Sequence, residues 1–101
     1  MKDKLGILVG TVKFPDYVIQ LTKAAYAKGK EIEIFFTGAG VLLTQAPKFK
    51  QLAGKAKLSV CDASFRAAGL SGDIPGVKET DFTTQARNAE MISSCDRYLV
   101  F

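Results

Sequence analysis

The chemistry of this chain starts at Cys61. It closes the apolar run Leu58-Ser59-Val60-Cys61 and is followed by Asp62, a good N-cap for a brief helix over residues 63–68 that Gly69 terminates. A thiol in that position lies close to the positive end of a helix, where the thiolate is favoured. Asp62 opposes that field, and Arg66, one turn further on, either neutralises Asp62 or faces the sulfur. The same position also suits a small buried hydrophobe, so position alone leaves Cys61 open between reactive thiol and packing residue. Cys95 precedes the last apolar run. It falls at the other end of any sheet the two cysteines share, roughly 17 Å away. That is out of disulfide reach, and Cys95 reads as a buried thiol at a helix-to-strand junction.

Other chemistries find little support. The chain has no histidine, which removes Ser-His and Cys-His nucleophile pairs and a tetrahedral Cys/His zinc set; no metal and no cofactor are expected. Gly38-Ala39-Gly40 offers backbone N–H groups to an anion, but it lacks the third glycine of a dinucleotide loop and the Gly-Lys-Ser/Thr of a nucleoside-triphosphate loop. It reads as a tight turn. The carboxylates Asp62, Asp73 and Glu79 have no spacing that commits them to proton transfer, and Asp73 in LSGDIPG is first a turn residue. Gly10-Thr11 lacks the acidic cluster of a phosphate-accepting regulator. Lys48, Lys50, Lys55 and Lys57 form a basic stretch that reads as a solvated face, with Phe49 and Leu52 on its buried side, so direct nucleic-acid binding is not expected.

The elements that must position Cys61 follow from the pattern of apolar residues. Leu5–Val9 is a continuous apolar run of the kind buried on both faces of a parallel sheet. Pro15 suits a first helical turn, and Val18, Leu21 and Ala25 recur at helical spacing before Gly29. Ile32–Phe36 is β-branched and aromatic and reads as the second strand. Residues 41–53 predict a short helix, a break at Pro47, and a second turn with Phe49, Leu52 and Ala53 inward. After the third strand and its helix, residues 70–76 form a loop. Val77–Thr80 predicts a short edge strand, and Asp81 or Thr83 caps a helix through Ser93 with Phe82, Ala86, Ala89 and Ile92 inward. Tyr98–Phe101 closes as the last strand. Strand–helix alternation predicts an α/β fold, a three-layer α/β/α sandwich on a mostly parallel sheet of four to five strands. Its functional crevice lies beyond the carboxyl ends of the strands. The loops there hold Thr11 and Lys13 after the first strand, and Gly38 and Gly40 after the second.

Length and charge set the class. With 101 residues, 48% of them apolar, the chain predicts one small domain over 1–101 with a thin core that subunit contacts supplement. A net charge of +4 makes the surface mildly basic. The apolar stretch Ile32–Leu43 is shorter than the ~20 residues a membrane span needs and carries Glu33. Leu5–Val12 lacks a signal-peptide cleavage site. Two cysteines in a hydrophobic chain of this length indicate reduced thiols and a cytoplasmic setting, with no membrane partner.

Three blocks together resemble a known family. LSVCDASFRAAGL, from Leu58 to Leu70, is similar to the cysteine segment of the DsrE/TusD-like sulfur-relay proteins. IFFTGAGV, from Ile34 to Val41, resembles their second strand and turn, and Cys95-Asp96-Arg97 with the closing apolar strand resembles their C-terminus. The resemblance covers essentially the whole chain. It implies a five-stranded parallel sheet with Val77–Thr80 as the edge strand and the last strand beside the first, and homo-oligomers such as trimers or hexamers. It also implies that Cys61, the one residue that carries over, accepts sulfane sulfur as a persulfide from a donor protein and passes it to an acceptor. On physical grounds the transferred sulfur needs a positive field, for which the helix N-terminus, Arg66 as electrostatic helper and Lys13 are the candidates. Thiolate attack on a persulfide needs no histidine. Against it stands a binding module for a small anionic ligand or partner protein, in which Cys61 only packs. A shorter chain than most relay subunits, and the loop GTVKFPD in place of a small-residue stretch, depart from the family pattern.

Overall fold

The structure, a computed structural model, describes residues 3–101. Its centre is a five-stranded parallel sheet in the order β4-β3-β2-β1-β5, with β1 Lys4–Val9, β2 Glu31–Phe36, β3 Lys57–Cys61, β4 Phe82–Thr83 and β5 Arg97–Val100. The last strand lies beside the first, as expected. Three α-helices connect the strands: α1 Pro15–Ala27, α2 Asp62–Ala67 and α3 Gln85–Ser94. Among the described residues, no helix is long and apolar enough to cross a membrane.

Alternation along the strands divides the core in two. On one face Ile7, Val9, Ile34, Phe36, Leu58 and Val60 pack with Val18 and Ile19 of α1, Phe65 of α2, and Val41, Phe49 and Leu52 of the segment after β2. On the other face Phe35, Cys61 and Met91 form a smaller cluster flanked by Leu8 and Tyr98. The first face is covered by two helices and a long connection, the second by α3. Pro15 opens α1, where its missing N–H costs nothing, and Gly29 leaves the helix at a φ of 75°.

The segment after β2 departs from expectation. Gly38–Gln45 and Pro47–Leu52 are both 3-10 turns rather than α-helix. Pro47 breaks the run as expected, and Phe49 and Leu52 are buried against the sheet, while Ala53 is only half-buried. The basic side chains of this stretch face outward: Lys48 pairs with Asp16 at 2.8 Å, and Lys55 lies over the Tyr26 ring.

The edge strand also moves. Residues 77–80 do not form it, because Ile74 and Val77 bridge across the Pro75-Gly76 turn and Glu79–Asp81 winds into a 3-10 turn. Phe82–Thr83 pairs with Val60 and Cys61 instead. Asp81 does not cap α3; its carboxylate accepts from the Lys78 N–H and is bound by Arg87 at 3.0 Å. The cap is Thr84, whose hydroxyl accepts from the Ala86 N–H.

The helix is rotated from the expected phase. Met91 is fully buried and Arg87 and Asn88 are half-buried, whereas Ala86, Ala89 and Ile92 are exposed. Two polar anchors explain the rotation: Arg87 donates to Ser59 at 2.9 Å and to Asp81, and Asn88 accepts from the Tyr98 hydroxyl at 3.2 Å. A hydrophobic stripe read from sequence cannot weigh those partners.

Candidate functional site

Cys61 is the last residue of β3, and its sulfur lies on the α3 face, 6% exposed, packed with Phe35 and Met91. The chain turns directly from it into α2. Asp62 is therefore the first helical residue and Cys61 itself the cap position. The apolar strand fixes the thiol's place, and the immediate start of the helix turns the N–H groups of Ala63 and Ser64 toward it.

Pairing with β2 supplies the next residue. Phe36 stands opposite Val60, so Thr37, one step beyond β2, comes beside Cys61. The Thr37 N–H donates to the Val9 carbonyl at 3.0 Å, which ties this corner to the end of β1. Burial pushes the Cys61 thiol up. Hydrogen bonds outweigh it, from the side chain and N–H of Ser64, the Thr37 hydroxyl and the Ala63 N–H, and the thiol lies below its ordinary value. A cysteine buried only among apolar groups shifts the other way.

Both hydroxyls are themselves held. Ser64 Oγ accepts from the Gly38 N–H at 3.0 Å, and Thr37 Oγ1 accepts from Gln85 Nε2 at 2.9 Å. Gln85 begins α3, so the corner around Cys61 is built from three separate parts of the chain: the end of β2, the junction of β3 with α2, and the start of α3.

The residues singled out by sequence divide. Cys61 and Gly38 belong to this corner. Arg66 does not face the sulfur: its Nε binds Asp62 at 2.9 Å, one turn away on α2, with the Arg66 side chain 79% exposed. The two neutralise each other, an exposed pair worth roughly 0.3–0.5 kcal/mol. Gly40 is there for space, because a Cβ at this position would overlap the Val9 carbonyl. The Gly38-Ala39-Gly40 segment is a turn whose first N–H is already taken by Ser64, and Gly38 has the φ of 53° that favours glycine. Thr11 and Lys13 lie in the loop after β1, where the Lys13 N–H approaches the Thr11 hydroxyl at 3.4 Å. Neither takes part in the hydrogen bonds around Cys61. Cys95 is a free thiol packed near Gly6, where a Cβ would stand 3.1 Å from both Cys95 Sγ and Met91 Cγ.

Thr37, Ser64 and Gln85 escaped the sequence reading. Ser64 was within reach of it, since it stands three residues past Cys61 in the first helical turn. Thr37 and Gln85 are 48 residues apart, and only the sheet brings them together. A groove of about 630 Å³ opens on the other side of α2, lined by Phe65, Arg66, Asp73, Glu79 and Phe82 among others. Cys61 does not line it.

Comparison with known proteins agrees with this architecture. The crystal structure of the YchN protein from E. coli superposes with a TM-score of 0.72 at 16% identity, each chain covered in full. No curated protein matches the sequence. The sequence profile described as the DsrE/DsrF-like family matches residues 16–101, and the chain belongs to that family.

Proposed function

We propose that this protein is a sulfur carrier in which Cys61 takes up sulfane sulfur as a persulfide and gives it to a partner protein. The observation that carries the reading is the convergence of donors on one buried sulfur: two hydroxyls and two backbone N–H groups hold the Cys61 thiol below its ordinary value against the effect of burial. A cysteine that only packs has no use for such a set. Membership of the DsrE/DsrF-like family supports the same reading, since sulfur relay is the chemistry associated with it.

The step needs only a thiolate and a persulfide. The Cys61 thiolate attacks the terminal sulfur of a donor R–S–SH; the new S–S bond forms as the donor's own S–S bond breaks, R–S⁻ leaves, and the proton stays on the transferred sulfur. No net oxidation occurs, and no metal, base or cofactor enters. In the reverse sense the terminal sulfur of Cys61–S–SH passes to an acceptor thiolate. The donors that stabilise the thiolate also stabilise Cys61 as leaving group. Homo-oligomers and separate donor and acceptor proteins belong to this proposal, and so does a cytoplasmic setting.

The test is intact-mass spectrometry after incubation with polysulfide. Wild type is expected to gain about 32 Da per persulfide, reversed by a thiol reductant, and Cys61→Ser, which keeps Cys95, gains nothing. Equal labelling of the two proteins, or no adduct on either, refutes the reading.

A further inference from the structure

We propose that Gln85, the first residue of α3, is a positioning residue that tunes Cys61 by fixing the direction in which the Thr37 hydroxyl donates. Its use in sulfur transfer rests on the carrier reading above; its effect on the thiol does not. A threonine hydroxyl has one proton to give and lone pairs to receive. Gln85 Nε2 donates to Thr37 Oγ1 at 2.9 Å, and an amide nitrogen cannot accept. The Thr37 proton is therefore turned away from Gln85; the β2–β3 register sets Thr37 beside Cys61, whose thiol its hydroxyl helps to hold down. Ser64 repeats the device, with the Gly38 N–H donating to its oxygen at 3.0 Å from behind. Each hydroxyl is thus the middle of a donor chain that ends on Cys61, and successive hydrogen bonds of one sense polarise each other.

The two chains differ in where they begin. Gly38 is backbone of the turn after β2, whereas Gln85 is an exposed side chain on α3, the helix that covers its face of the sheet. That helix is held by Met91 and by Arg87, which reaches Ser59, Asp81 and the Thr80 carbonyl. Through Gln85, thiolate stability depends on α3 being seated, so a partner that shifts this helix changes the reactivity of a cysteine it does not touch.

Three substitutions test this, with the pH profile of iodoacetamide alkylation read on the Cys61 peptide by mass spectrometry so that Cys95 does not contribute. Gln85→Met keeps the length and removes the donor. Gln85→Glu supplies an acceptor that takes the Thr37 proton for itself. The expected midpoints rise in the order wild type, Met, Glu. Below the midpoint, alkylation slows about threefold for Met and about tenfold for Glu, as the thiolate fraction falls. In a Thr37→Val background, Gln85→Met is expected to have no effect, because the hydroxyl it acts through is gone; a helix-stability role would persist there. Unchanged midpoints in Gln85→Met, or an equal shift with and without Thr37, overturn the proposal. Polysulfide loading of wild type separates the two readings: loading with an unmoved midpoint sinks the role of Gln85 alone, and a moved midpoint without loading sinks the carrier alone.

Discussion

Met91→Ala tests how α3 is held over the site. Met91 is fully buried and packs with Phe35 and Cys61, while the neighbouring apolar positions of the helix, Ala86, Ala89 and Ile92, face outward. The helix therefore owes its apolar attachment to one side chain. Truncating a buried methionine to alanine costs about 2–5 kcal/mol. The lower half of that range applies here, since a layer one helix thick can settle onto the gap. A chain of this length has about 5–15 kcal/mol in total, so a loss of about 2–3 kcal/mol by urea denaturation is a substantial share. Met91→Leu, which keeps the volume, should lose less than about 1.5 kcal/mol. A second readout is local: Cys61 shares the cluster, so at a pH above its thiol midpoint, where the thiolate fraction no longer limits the rate, its alkylation by iodoacetamide should quicken in Met91→Ala at a urea concentration far below the unfolding midpoint. A loss under about 1 kcal/mol with an unchanged alkylation rate would refute the claim that Met91 seats the helix.

Two further outcomes follow from the same contacts. Gly40→Ala should destabilise the protein by about 1–3 kcal/mol or more, lowering Tm by at least about 4 °C, because the new Cβ overlaps the Val9 carbonyl and the turn must move off β1; a Tm within about 2 °C of wild type would contradict that packing. The Cys61 thiol supplies a pH dependence whose sign is fixed: its value is lowered in the folded state, so it adds stability that is complete above the ordinary thiol value and is lost as pH falls through the folded one. Urea midpoints of wild type measured against Cys61→Ala should therefore diverge as pH rises through that window, and parallel curves would be evidence against a stabilised thiolate.

How much of this was legible in the sequence depends on how local each signal is. Continuous apolar runs marked β1, β2 and β3, because burial on both faces leaves a pattern in the residues themselves; the last strand shows the same run although Leu99 and Val100 are exposed at the sheet edge. Cys61 was legible for the same reason: it ends such a run and starts a helix. The 3-10 winding of residues 38–52 was not, since Val41, Leu43, Phe49 and Leu52 satisfy either helix and Gly40 must fit against Val9. The phase of α3 was misread because Arg87 outweighs three exposed apolar residues by binding Ser59 and Asp81. The same limit hid the site: Arg66, the visible cation, spends itself on Asp62, whereas the uncharged Thr37, Ser64 and Gln85 do the positioning and acquire meaning only once β2, β3 and α3 meet.

The most direct test of the carrier account is cold cyanolysis of protein loaded with polysulfide and freed of excess reagent. Cyanide takes the terminal sulfur from Cys61–S–SH, leaving the thiolate and releasing thiocyanate, which is quantified by its iron complex. The account predicts about one thiocyanate per chain from wild type, none from Cys61→Ser, and an undiminished yield from Cys95→Ser. Thiocyanate from Cys61→Ser at the wild-type level, or none from wild type, would contradict it.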